Sequence, residues 1–466
     1  MAGNLVHERR SSAEAFRALA TWAAAAARRP LPEPVRRRAA LILADDLGAM
    51  VAAAGEAQVA AAREIYARSS CGAEATVFAP GAPRLDRYAA AAANGMAAAW
   101  CELDEGFRDA PCHAGAYALP ALLAEAEARD ASVSAVLSAL AAAYEMTARL
   151  ALAFPFPTMT VHPHAAFATI GATAGAALMR GVDAAVLGDA VSAAASMTFA
   201  GPFGHATEGA LVRNGWTSAG AWIGMRAADW AEIGIAGLAE TPHDVFVSVF
   251  GTGSRPEALT DRLGERWAVA GGYHKIFACC QYAHSAIEAT LVLRERLAAA
   301  GRRAEELAEI LVETHPRGLN LTTVEPRTTL AAKFSMPHAV ASVALSGTGG
   351  QTAFADTTLA DPAIARLRRQ VRLAPHPAIG EPPHDRPARV TWRFADGEAW
   401  TAECASARGG ADQPFDEAVI LDKLAENTRA GLPHMAPTLA RLVAGDAEAP
   451  AGRWRATVAT MLRGDA

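Results

Sequence analysis

From Ser12 to about Gly264, apolar residues recur at helical spacing, and alanine, the strongest helix former, fills much of the chain. The pattern predicts helices near 33–54, 57–69, 85–101, 116–128, 131–151, 164–180, 183–199 and 216–232. Pro34 suits the first turn of the helix at 33–54, where its missing N–H does no harm. These runs are apolar on more than one face, so the helices should pack against each other rather than lie on a surface. Their many alanines would let the axes approach closely.

The texture changes after Trp267. Ile310 to Glu313 and Val371 to Leu373 read as short strands. Arg389 to Phe394 alternates apolar and polar residues, and Asp396-Gly397 then supplies a turn before Ala399 to Glu403, a hairpin signature. Helical segments at 283–299 and 361–370 are interleaved with these strands. Helical pattern returns at 415–428, 436–445 and 452–463. The expected fold is mainly α: an all-α domain over 1–267, a smaller α+β domain over 268–410, and C-terminal helices over 411–466 returning to the first domain.

At 466 residues and 52% hydrophobic content, the chain has ample material for a large core and for two or three domains. Its 43 basic and 49 acidic residues give a net charge of −6 without a basic block, which argues against nucleic-acid binding. Six scattered cysteines, with no CxxC pair, form neither a disulfide framework nor a zinc site. The alanine run Ala23 to Ala27 is flanked by charge, unlike a cleavable signal, and the uncharged stretch Ala165 to Met179 is too short to span a bilayer. The expectation is a cytoplasmic protein with no membrane partner.

Only three of the 43 basic residues are lysines: Lys275, Lys333 and Lys423. Arginine serves as the default surface cation here, so each lysine asks for a local reason, such as a compact ammonium whose pKa can move. Lys275 sits in a segment dense in reactive side chains, with His274, Tyr282 and His284 around it. A second cluster joins Glu102, Asp104 and Glu105 to His113, a combination suited to acid–base work at a helix end. A third, His162-Pro163-His164, opens a helix whose dipole would favour a neutral histidine base. Each also has a plain alternative: codon bias for the lysines, solvated acids at a helix end, and a satisfied structural histidine. No third ligand stands at metal spacing beside His162 and His164, and neither a phosphate loop nor a nucleophile elbow occurs. Local chemistry therefore suggests a helical enzyme without cofactor or metal, moving protons with His and Lys.

In order and spacing, these segments resemble the MmgE/PrpD family over almost the whole chain. The matching pieces are Asp46-Leu47-Gly48, Asn94-Gly95 before Leu103-Asp104-Glu105, His113 with Leu119-Pro120, His162-Pro163 and Glu208-Gly209-Ala210. Most specific is Lys275-x-Phe-x-Cys-Cys-x-Tyr-x-His, ending at His284, followed by Ala332 to Pro337. The resemblance implies action on a small di- or tricarboxylic acid, as in 2-methylcitrate dehydratase, cis-aconitate decarboxylase and iminodisuccinate epimerase. It also implies that the α+β domain is a lid, that the protein is a homodimer, and that a metal-free active-site cleft lies between the helical domain and the lid. The lid would carry Lys275, and the helical domain Asp104, His113 and His162.

Two departures tilt the expected chemistry. The family's Asp-Asp-Thr-His-like stretch after Asp104 is replaced by Glu105-Gly106-Phe107-Arg108, and a lysine common after Glu-Gly-Ala is Arg213 here. An arginine does not release its proton to a leaving hydroxide, though it can clamp a carboxylate. Epimerisation needs no leaving-group acid. The leading expectation is therefore an epimerase acting on an iminodisuccinate-like substrate, with His113 and His162, or one of them with Lys275, as acid and base. Asp104 would orient a histidine, and Lys275, Arg213, His284, Tyr282 and His274 would surround the substrate. The alternatives are a dehydratase-like hydro-lyase, a decarboxylase, or a non-catalytic dicarboxylate-binding protein.

Overall fold

The structure, a computed structural model, describes residues 2–446 and 452–463. Residues 1, 447–451 and 464–466, inside the expected first and last domain ranges, lie outside the described residues. The chain is mainly helical, with a large helical N-terminal part and a smaller α+β part after it.

The first part runs through α1 (Ala2–Ala26), α2 (Glu33–Ala52), α3 (Ala57–Ser69) and α4 (Arg87–Ala98), then the short strand β1 (Gly106–Phe107). It continues with α5 (Ala114–Ala128), α6 (Val133–Ala153), α7 (Pro163–Arg180), α8 (Ala184–Ser196), α9 (Gly204–Glu208), α10 (Val212–Glu232) and the single turn α11 (Thr241–His243). Side-chain caps set several starts: Asp86 accepts from the N–H groups of Tyr88 and Ala89, Ser132 from Ala135, and Asp183 from Val186. Helix α7 is the hub, packing on α5, α6, α8 and α10. Small residues allow this closeness: a Cβ on Gly224 of α10 would lie 2.8 Å from the carbonyl oxygen of Thr169 on α7. Helix α6 is long and apolar enough to cross a membrane, but 89% of its apolar window is buried inside the protein.

Several boundaries differ from the sequence expectation. Helix α10 starts at Val212 rather than 216, which places Arg213 in its first turn. Helix α1 reaches back to Ala2. Helix α4 stops at Ala98, three residues before the expected end, so Glu102, Asp104 and Glu105 sit on a loop rather than at a helix terminus.

The second part opens with β2 (Gly272–Tyr273) and α12 (His284–Ala299), followed by β3 (Leu307–Thr314), α13 (Thr329–Lys333) and α14 (Met336–Ser346). Then come α15 (Asp356–Leu359), α16 (Pro362–Gln370), β4 (Val371–Pro375), β5 (Ala388–Phe394) and β6 (Ala399–Cys404). The sheet order is β4-β3-β5-β6, with β3 and β4 parallel and the other pairs antiparallel. The expected hairpin is β5–β6, with Arg393 opposite Ala399. Ala388, Val390, Trp392 and Phe394 alternate inward, and α12 packs against β5 and β6. Helix α14 had no counterpart in the sequence expectation; Ser335 caps it and Pro337 sits in its first turn.

Helices α17 (Glu417–Thr428), α18 (Met435–Ala444) and α19 (Trp454–Arg463) follow. Both α17 and α18 pack on α2 of the first part. A second tie is the pairing of β1 with β2, Gly106 opposite Tyr273 and Phe107 opposite Gly272. This two-residue clip joins the parts.

Candidate active site

Loop 99–113, between α4 and α5, carries three buried carboxylates: Glu102 at 2% exposure and Asp104 and Glu105 at 0%. Its main chain is tied down by cations and a histidine. Arg213 Nη1 donates to the carbonyl of Ala99 at 3.3 Å, Lys333 Nζ to Trp100 at 3.1 Å, and Lys423 Nζ to Leu103 at 2.7 Å. The His113 Nδ1–H donates to the carbonyl of Glu105 at 2.7 Å. All three lysines of the chain are thus buried at this site.

A narrow cleft opens where this loop meets residues 272–282. A line of alternating charge runs along it. Arg213 Nη2 lies 2.5 Å from Oε1 of Glu102, and Lys275 Nζ lies 3.4 Å from Oε2 of Glu102 and 3.4 Å from Oδ1 of Asp104. Asp104 Oδ2 in turn lies 2.8 Å from Nδ1 of His113. Burial alone would raise both carboxyl pKa values, but the neighbouring cations outweigh it and hold Glu102 and Asp104 below the usual range. Burial would likewise lower Lys275, yet Asp104 and Glu102 hold its ammonium above the ordinary lysine value. Lys275 is therefore a fixed cation rather than a lysine poised to be neutral.

Two acceptors at Nδ1 of His113, the Glu105 carbonyl and Asp104, place the ring proton there. Nε2 keeps its lone pair and no described group bonds it. His113 lines the cleft, as do His162, Lys275, Arg213 and Tyr282. Asp104 stands behind His113 and Lys275, where the sequence expectation placed an orienting carboxylate.

The paired role expected for His162 meets an obstacle. Its Nδ1 faces the N–H of His164 at 3.1 Å and its Nε2 faces the Nε–H of Arg213 at 3.2 Å. Neither nitrogen is free to take a substrate proton. Burial, followed by the charge of Arg213, holds its pKa well below the histidine norm. The helix dipole invoked from sequence is not the leading cause. Arg213 is equally engaged, with Glu102, Ala99, His162 and the Oδ1 of Asn214 around its fork, so a bidentate clamp on a substrate carboxylate would first have to displace Glu102.

Two of the expected substrate contacts lie outside the cleft lining. His274 donates through Nδ1 to Asp45 at 2.6 Å, behind the site, and Asp45 also pairs with Lys423 at 2.5 Å. His284 turns Nε2 toward the carbonyl of Cys279 at 3.2 Å, and burial, then Lys275, lowers its pKa to about 3. Cys280 lines the cleft while Cys279 does not. Burial pushes the Cys280 thiol up to about 12. Among the described residues, no group of three or more His, Cys, Asp or Glu side chains is arranged to hold a metal ion.

Sequence reasoning missed Tyr273, Gln281 and Arg386, all of which line the cleft. Tyr273 had a signal, since it adjoins His274 and Lys275. Arg386 had none, being one arginine among many in a Pro-rich loop. The substituted stretch 105–108 also acquires a purpose. Glu105 accepts from the Gly115 N–H at 2.6 Å and from the Tyr144 hydroxyl at 3.0 Å, and Arg108 pairs with Asp385 at 2.5 Å. A Cβ at Gly106 would overlap the ring of Tyr273.

Residues 17–255 match the MmgE/PrpD N-terminal domain, and residues 277–443 match the MmgE/PrpD C-terminal domain. No curated protein matches the chain.

Proposed function

The chain belongs to the MmgE/PrpD family, and from that premise we propose that it removes a proton alpha to a carboxylate of a small dicarboxylic acid. The family includes dehydratases, decarboxylases and epimerases of small carboxylic acids. The observation that carries the reading is the Lys275–Asp104–His113 line, in which one carboxylate holds a fixed ammonium on one oxygen and a histidine on the other. Such an α C–H is weakly acidic, so a placed base and a cation near the developing enolate supply what the reaction lacks.

Our leading version is epimerisation of an iminodisuccinate-like substrate in the cytoplasm, using protein side chains alone. His113 Nε2 takes the proton from one face and, as the imidazolium, returns it to the other, while Lys275 stays an ammonium and stabilises the enolate-like charge. Asp104 fixes the histidine tautomer. Arg213 orders Glu102 and His162 rather than reacting. A hydro-lyase is the second reading, supported by Tyr273: burial raises its pKa, so it stays protonated, and no described group bonds its hydroxyl, which could protonate a departing hydroxide.

We extend the proposal to a homodimer. Trp222 and Trp230 of α10, with Ile233, Ile235 and Leu238 just beyond it, are 41–72% exposed, an apolar patch suited to a second copy.

Proton NMR in D₂O with iminodisuccinate stereoisomers, 2-methylcitrate, citrate and cis-aconitate tests the reaction class. Loss of an α-proton signal with stereochemical scrambling and no alkene resonance is the expected result. A vinyl proton would move the protein to the hydro-lyase or decarboxylase reading. Saturable binding without deuterium incorporation would make it a binding protein.

A further inference from the structure

Three permanent cations line the cleft, and two of them already face buried carboxylates: Arg213 with Glu102, and Lys275 with Glu102 and Asp104. Arg386 is different. It is 7% exposed, and its Nε makes no hydrogen bond. Its nearest carboxylate oxygen, Oδ2 of Asp385, stands 3.8 Å from Nε, and Asp385 is drawn instead to Arg108 at 2.5 Å. The remaining guanidinium nitrogens donate to neutral oxygens, the side chain of Gln281 and, at 3.3 Å, the carbonyl of Arg108. The Tyr282 ring lies 5.2 Å below the guanidinium carbon.

A buried guanidinium without a bonded counter-ion is costly, and an incoming carboxylate relieves that cost. We propose that Arg386 anchors the second carboxylate of the substrate, the one remote from the carbon that loses its proton. The enzyme then selects dicarboxylates over monocarboxylates. Gln281 and Tyr282 hold the fork in place. Arg108 is a positioning residue: by pairing with Asp385 it keeps that carboxylate from neutralising Arg386. The substituted stretch 105–108 and the loop carrying Arg386 then form one device. This inference rests on the dicarboxylate reading above.

Isothermal titration of the full-length protein with succinate and with succinamate, in which a neutral amide replaces one carboxylate, tests it. Wild type should prefer succinate by at least ~30-fold, the scale of one buried charge pair. Arg386→Gln should bind both compounds at the succinamate level, and Arg386→Lys should recover part of the preference. Arg108→Gln frees Asp385 to face Arg386 and should weaken succinate while leaving succinamate unchanged; this variant decides the matter if Arg386→Gln fails to fold. Full succinate preference in Arg386→Gln, or in Arg108→Gln where the former does not fold, overturns the anchor while the dicarboxylate reading stands. A wild type that binds neither compound overturns both.

Discussion

Nζ of Lys423 donates at 2.7 Å to the backbone oxygen of Lys275, so one buried lysine holds the main chain that carries another. The same ammonium reaches the carbonyl of Leu103, one residue before Asp104. The base-bearing loop and the segment carrying the cation are thus fixed to a single point on α17. Lys423→Met would also strip Asp45 of one partner while the carboxylate stays buried. Breaking a buried pair in this way costs about 3–5 kcal/mol. Urea denaturation should show that loss, with kcat falling as well; a change below ~1 kcal/mol would mean the pin is dispensable.

Deuterium exchange at the substrate α-carbon separates the candidate bases. His113→Asn should lose exchange from both stereoisomers by ~10²-fold or more, and Lys275→Met should slow both as the enolate loses its cation, once circular dichroism confirms folding. His162→Asn should keep exchange from both, with a raised KM as Arg213 loses a partner. Selective loss in the His162 variant alone would make it the second base and defeat the two-donor geometry described above.

The contribution of Glu105 to stability should fall as the pH rises from about 4.5 to about 7. Burial raises the Glu105 carboxyl to about 7 against the partial opposition of His113, and burial raises neighbouring Asp46 as well. At Glu105 the folded protein therefore binds a proton more tightly than the unfolded chain across that window. Stability from this group is complete below the ordinary glutamate value and is lost as pH climbs through the raised one. The loss is up to ~3 kcal/mol for Glu105. Denaturation at pH 5, 6, 7 and 8 of wild type and Glu105→Gln side by side measures it: the wild type should lose stability relative to the variant as pH rises. An unchanged slope in that variant would assign the proton elsewhere.

Gly106→Ala tests the clip. The new methyl would collide with Tyr273, whose strand pairs with it, so β1 and β2 must separate at the cleft. We expect kcat/KM to drop by ~10-fold or more with only a local loss of hydrogen-exchange protection at 272–275. Normal turnover would show that the strand pairing leaves the site unaffected.

The apolar face on α10 predicts the assembly. Light scattering should give a dimer for the wild type, and Trp222→Glu with Trp230→Glu should give a folded monomer. A wild-type monomer at micromolar concentration would remove the homodimer from the proposal.

The sequence by itself determined the helical first part, the β5–β6 hairpin and the ordered segments that identify the family. Those signals are local: helix periodicity, caps and turn residues act within a few neighbours, and Asp396-Gly397 announces its own turn. Lysine scarcity pointed to Lys275, and adjacency in the chain grouped Glu102, Asp104 and Glu105 with His113. Only the tertiary structure decided what these groups face. His162 opens a helix as expected, yet Arg213, fifty-one positions later, occupies its Nε2. Lys275 looked able to lose its proton on burial until Glu102 and Asp104 were found beside it. Arg386 carries no local mark, because its meaning lies in the absence of a bonded carboxylate around it. Partners brought together across hundreds of residues set charge, tautomer and access, and no window along the chain contains them.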